Sequence, residues 1–221
     1  MRRRVGLLGG SFNPAHEGHR YLSELAIKHL QLHQVWWVVS PQNPLKTARE
    51  IAPFEDRLTI AEAVANHPQI RVTDIEQRIG TRYTLDTVVA LQARFAGTRF
   101  VWLMGADILL ELPKWKQWRR LFRRVPIAVF PRPTYSLRAL SSTAARAFAG
   151  ARVSQRKASR LAEMDPPVWV FLQTRPHGAS ATRIRAGHGA SKNGCSGDGR
   201  NSRVNRGREP RSSPDTQTQA S

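Results

Sequence analysis

One cysteine, Cys195, stands in a chain of 221 residues. A lone thiol cannot close an intrachain disulfide, four-cysteine zinc sites are excluded with it, and a reducing, cytoplasmic setting is the expectation. Long apolar runs are lacking too: none approaches the roughly 20 residues that span a bilayer. The opening MRRRVGLLGGSF has a basic start, but its apolar stretch is short. Asn13, Pro14 and His16 follow at once, so no export signal is expected. Acidic residues are scarce: 16 Asp and Glu against 35 Lys and Arg leave a formal charge of +19. Residues 188–221 hold six Lys or Arg and three Asp or Glu, so +16 of that charge precedes them. Such a field favours anionic partners, nucleotides and nucleic acid among them. An arginine-rich proteome produces the same excess with no binding meaning. Helix-turn-helix, zinc-finger and RNA-recognition signatures are all missing, and nucleic acid is not the expected partner.

What is present is alternation. RVGLL (4–8) reads as a buried strand, and HRYLSELAIKHLQL follows with Leu22, Leu25, Ala26 and Leu30 on one helical face. VWWVV (35–39) is a continuous apolar run of the kind covered on both sides. FEDRLTIAEAVANH reads as a helix, IRVTDIE as a strand, and TLDTVVALQARFAG as a helix closed by Gly97. FVWLMGAD is a strand ending in a Gly-Ala-Asp turn, WKQWRRLFRR a helix and VPIAVF a strand. Residues 137–164 read as Ala- and Arg-rich helix, and VWVFLQ (168–173) as a last strand. Strands alternating with helices predict an α/β fold of Rossmann type, a parallel sheet with helices on both faces, over residues 1–187. Residues 188–221 contain one Val and no other large aliphatic or aromatic residue. That segment cannot bury enough surface to offset its ordering, and is expected to be a disordered Ser/Gly/Arg-rich tail.

The stretch GGSFNPAHEGH (9–19) carries the chemistry. Gly9, Gly10 and Ser11 sit where the first strand turns into the first helix, the edge at which parallel sheets bind ligands. Glycine there lets backbone N–H groups approach a phosphate, and the helix N-terminus adds a favourable dipole. Neither the dinucleotide fingerprint nor the Walker A spacing is present. His16 and His19, three apart, fall on one side of the first helical turn. Beside a phosphate-binding turn they suit charge stabilisation on a polyphosphate. Two other readings of the pair stay open here: a zinc pair, weak because the spacing is not that of H-E-x-x-H, and simple helix capping. Ser11 as a nucleophile lacks its usual setting.

GGSFNPAHEGH resembles the G-G-x-F-N-P-x-H-x-G-H signature of bacterial nicotinate-nucleotide adenylyltransferases, which share the shorter H-x-G-H element with a wider nucleotidylyltransferase superfamily. SPQNPLK (40–46), RYTLDT (82–87), GADILLELPKW (105–115) and SATRIR (180–185) resemble further segments of that family in the same order, so the resemblance covers about residues 4–187. It implies a nucleotidylyltransferase fold and transfer of AMP from ATP to nicotinate mononucleotide, giving deamido-NAD and pyrophosphate in NAD biosynthesis. The mononucleotide's phosphate is already ionised, so neither a general base nor a covalent intermediate is required, and the work falls to positioning and electrostatics.

The resemblance also implies roles. His19 contacts the α-phosphate and His16 the triphosphate; Lys46 and Arg185 approach phosphate from other loops. Gly9, Gly10, Ser11, Phe12, Gly105, Asp107, Ser180 and Thr182 line ATP, Asp107 through a ribose hydroxyl. Asn13, Tyr83, Thr84 and Trp115 line the nicotinate nucleotide, Trp115 by stacking and the Tyr83–Thr84 N–H groups by meeting the carboxylate. From the residues alone a solvated lysine is the alternative for Lys46 and a turn former for Asp107, while Trp115 is just as readily a core residue. Mg²⁺ is expected only as the counter-ion of ATP, held by phosphates and waters. No protein metal site and no membrane partner are expected; a homo-oligomer stays open. Two departures stand out: Ala181 replaces a second serine of the family's last motif, and the family's closing apolar helix gives way to the polar tail.

Overall fold

The computed structural model describes residues 2–42 and 51–175. Lys46, Ser180, Thr182, Arg185 and the tail at 188–221 lie outside the described residues. The chain alternates as β1 (Arg3–Gly10), α1 (Glu17–Leu30), β2 (Gln34–Val39), α2 (Phe54–Val64), β3 (Ile70–Thr73), α3 (Ile75–Arg78), α4 (Thr84–Arg94) and β4 (Thr98–Gly105). Then come α5 (Ala106–Glu111), α6 (Trp118–Phe122), β5 (Ile127–Phe130), α7 (Ser136–Leu140), α8 (Thr143–Ala147), β6 (Arg152–Val153) and β7 (Trp169–Phe171). The strands form one parallel sheet in the order β3-β2-β1-β4-β5-β7-β6.

The apolar runs behave as their composition demands. In β2 every residue after Gln34 is buried, because alternate side chains enter different layers. Trp36 packs edge-on to Phe95 and Phe100 on one face. Trp37 points to the other, where its Nε1–H donates to Ser23 Oγ of α1 at 2.8 Å. The same alternation along β1 and β4 divides the core into two layers. Leu7 and Trp102 face α4, α5 and α6; Leu8 and Leu103 face α1 and α2. α1 buries Leu22, Ala26 and Leu30 as a single stripe. Glu17 in its first turn and Lys28 and His29 in its last suit the helix dipole. It ends where Gln31 adopts a left-handed φ of 54°.

Three expected elements come out differently. The helix expected over 137–164 is broken into α7, α8, short 3₁₀ turns and a strand, β6, which pairs with β7 at Arg152↔Trp169. Serines divide it: Ser142 caps α8 by accepting from Ala145 N, and Ser154 accepts from Arg156 N to begin a 3₁₀ helix over Gln155–Glu163. Local capping outweighs the helix propensity of alanine and arginine. The helix expected at 115–124 shrinks to Trp118–Phe122, because Gln117 takes a left-handed φ of 56° and turns Trp118 into the core. The strand expected through Glu76 stops at Thr73, and Ile75–Arg78 is helical.

Candidate active site

β1 is flanked by β2 on one side and by β4 on the other. The chain winds outward from it in both directions, so the carboxyl ends of β1 and β4 form the crevice in which such sheets hold ligands. Gly9 and Gly10 end β1, and Gly105 ends β4. Gly9 and Gly105 leave no room for a side chain here. A Cβ on Gly9 would run into the indole of Trp102. One on Gly105 would collide with the Asp107 carboxylate and lie 3.0 Å from Arg132 Nε.

The turn that follows is held on several sides. Ser40 N donates to Gly10 O at 2.9 Å, tying it to the end of β2. Phe12 adopts φ 45°, the left-handed region that side chains usually avoid. Phe12 is buried as a whole, with its ring stacked on Trp37 at 5.2 Å between centroids. Asn13 is also buried, and its Oδ1 accepts from Ala52 N at 3.2 Å.

α1 starts at the histidine pair. His16 is the N-cap, its Nδ1 accepting from Gly18 N at 3.1 Å, while His19 Nδ1 accepts the His16 N–H at 3.2 Å. The capping reading is therefore correct for both rings, and it does not compete with a role toward phosphate. A neutral imidazole has one N–H. With Nδ1 accepting, the proton of each neutral ring sits on Nε2. Their centroids are 3.9 Å apart. His19 also packs 4.9 Å from Phe12 and 5.8 Å from Trp37. Burial, then the neighbouring His16 and Arg132, hold its imidazole well below the usual histidine range. His19 is thus a neutral donor, where the sequence left neutral and partly protonated forms open.

Asp107 lies in the first turn of α5 and faces Arg132 beyond the end of β5, Oδ1 to Nε 3.7 Å. It thus answers a cation, a setting that neither the ribose nor the turn reading foresaw. Tyr83 is the N-cap of α4 and Thr84 its first residue. Lys116 Nζ sits 4.1 Å from the centre of the Tyr83 ring, which brings the α4 N-terminus beside the Trp115 segment. Trp115 is half-buried and edge-on to Trp102 at 6.4 Å, with Trp102 reaching back to Gly9. Between α4 and β2, buried Glu76 accepts from Thr87 Oγ1 at 2.9 Å, and burial pushes its carboxyl upward.

Three residues here escaped the sequence reading. Arg57 lay unremarked in the expected helix FEDRLTIAEAVANH, and Glu76 in the expected strand IRVTDIE. Arg132 follows a strand's carboxyl end within PRPTY, a position that was itself a signal. Among the described residues no group of three or more His, Cys, Asp or Glu gathers to hold a metal ion. No described helix is long and apolar enough to cross a membrane.

A parallel sheet with glycine turns at its switch point and an Nε2–H histidine pair capping the first helix define a nucleotide-transferring class, and a family model described as cytidylyltransferase-like matches residues 7–187. Within that class the relatives agree. A protein of Parvibaculum lavamentivorans named "Probable nicotinate-nucleotide adenylyltransferase" is 50% identical over 182 residues, covering 82% of this chain and 90% of that protein. One of the same name from Gluconacetobacter diazotrophicus is 49% identical over 185 residues, 84% and 86% of the two chains. The chain belongs to the nicotinate-nucleotide adenylyltransferase family. Its fold is also that of a solved structure, the Plasmodium falciparum nicotinic acid mononucleotide adenylyltransferase complexed with NaAD, at a TM-score of 0.63, 14% identity and 83% coverage of each chain.

Proposed function

We propose that the protein transfers AMP from ATP to nicotinate mononucleotide, forming deamido-NAD and pyrophosphate in NAD biosynthesis. An oxygen of the mononucleotide phosphate attacks the α-phosphorus of ATP. The new P–O bond forms as the bond from that phosphorus to the α,β-bridging oxygen breaks, and pyrophosphate leaves with the electron pair. The nucleophile is already an anion, so no proton has to be removed and no enzyme-bound intermediate is needed.

The observation that carries the reading is the paired Nε2–H imidazoles capping α1 beside Gly9–Gly10–Ser11. Neutral donors and backbone N–H groups, aimed where charge accumulates, stabilise an oxyanion without reorganising. His19 serves the α-phosphate and His16 the departing pyrophosphate. ATP enters as its complex with Mg²⁺, the ion held by phosphate oxygens and water. On the other side, Tyr83–Thr84 at the N-terminus of α4 offers N–H groups and a dipole to the pyridine carboxylate, and half-buried Trp115 stacks on the ring. Lys46, Ser180, Thr182 and Arg185 are assigned to phosphate by sequence resemblance alone.

Pyrophosphate release from ATP and Mg²⁺ tests this with nicotinate mononucleotide, nicotinamide mononucleotide or phosphopantetheine as acceptor. Release with nicotinate mononucleotide, strongly reduced with the other two, is the expected result. Preference for phosphopantetheine, or no release from folded protein, overturns it.

A further inference from the structure

Arg57, in the first turns of α2, is 1% exposed, and among the described residues no acid pairs with it. Its guanidinium donates to four backbone carbonyls: Nε to Ala52 O at 3.0 Å, one terminal nitrogen to Ser11 O at 2.7 Å and Ser40 O at 2.8 Å, and the other to Pro41 O at 2.9 Å. Phe54 covers it at 5.2 Å. Burial of an arginine is ordinarily offset by a carboxylate; here carbonyl dipoles from three segments do it. Those segments are the turn after β1, the end of β2 and the entry to α2.

We propose that Arg57 is a positioning residue for the phosphate-binding turn. The inference rests on the reading of Gly9–Phe12 as the seat of the ATP phosphates. A trans peptide is planar, with its C=O and N–H pointing in opposite directions. Drawing Ser11 O onto Arg57 therefore turns the Phe12 N–H away from Arg57, toward the other side of the turn. It also holds Phe12 in its left-handed conformation, which an unassisted phenylalanine would leave. A buried cation under the turn adds a positive field in a region where water screens little. Arg57 touches neither substrate nor reacting atoms; it fixes the donor that does.

The test uses Arg57→Lys, which keeps the charge but cannot span four carbonyls, and Arg57→Gln, which removes the charge. ATP binding is titrated in the absence of mononucleotide, and KM for each substrate, kcat and Tm are measured beside it. ATP binding is expected to weaken by at least about tenfold in Arg57→Gln, since bonds to a charged group are lost, and by less in Arg57→Lys. KM for nicotinate mononucleotide is expected to stay within about twofold, a split that general loosening of the fold would not give. Should Arg57→Gln fail to fold, Arg57→Lys decides alone. A folded variant with lowered Tm but unchanged ATP binding makes Arg57 a structural staple only and overturns the inference. Unsubstituted protein that neither binds ATP nor releases pyrophosphate overturns the proposed function instead.

Discussion

His19 accepts the backbone N–H of His16 through Nδ1 at 3.2 Å, and the two rings lie 3.9 Å apart. The bond that caps the helix thus also decides which nitrogen carries the proton. Replacing His19 by Ala removes both functions. A fall in kcat of about 10²–10³ is expected, the cost of one preorganised donor at a developing oxyanion, with KM for the mononucleotide little changed. Steady-state kinetics that place the variant within tenfold of the parent would remove His19 from the mechanism.

The same ring predicts an acid limit to stability. His19 resists protonation in the fold, whereas the unfolded chain accepts a proton near pH 6.5. The folded state then binds fewer protons between its own depressed pKa and about 6.5, so stability is full above that point and is lost as pH falls below it. Tm of the ligand-free protein is expected to drop between pH 7 and 5, and to drop less in His19→Asn. Equal slopes for the two proteins would refute this.

Glu76 works in the opposite sense. Burial raises its carboxyl, with Thr87 and Ser40 donating against that trend. The fold therefore favours its protonated form, and its contribution is fully present below the ordinary glutamate range. It is lost as pH rises through the raised value. Glu76→Gln keeps the shape and the Thr87 acceptor without the charge. Its Tm at pH 8 is expected to equal or exceed that of the parent, and a lower Tm at pH 8 than the parent's would mean that the ionised carboxylate is the favoured species.

Gly9→Ala tests the crevice floor. The added methyl meets the ring of Trp102, itself 2% exposed and unable to swing away. Overpacking of this kind costs about 1–3 kcal/mol. The displacement is passed on to Trp115, so KM for nicotinate mononucleotide should rise with the fall in Tm. A Tm matching the parent's would show that the indole moves freely.

The fold was legible in the sequence wherever burial and periodicity said the same thing. VWWVV read as a doubly covered strand, FVWLM as a strand, and Leu22, Leu25, Ala26 and Leu30 as one helical face, of which Leu25 is only partly buried. GGSFNPAHEGH named its own place at the end of β1. What was hidden depended on contacts between distant segments. Nothing in FEDRLTIAEAV marks Arg57 as buried, since its four acceptors come from Ser11, Ser40, Pro41 and Ala52. Asp107 could not be paired with Arg132 before β4 and β5 were set side by side. Residues 137–164 misled because alanine and arginine favour helix in general, while Ser142 and Ser154 punctuate it locally.

Phe12 lies between His19 and Trp37, its ring 4.9 Å from the first and 5.2 Å from the second. An imidazole that rests on a core aromatic cannot lose its orientation gradually while the interior stays packed. Heating should therefore extinguish activity and tertiary structure at one temperature, with tryptophan fluorescence and residual turnover tracing a single curve. The enzyme has no softened, half-working condition to pass through.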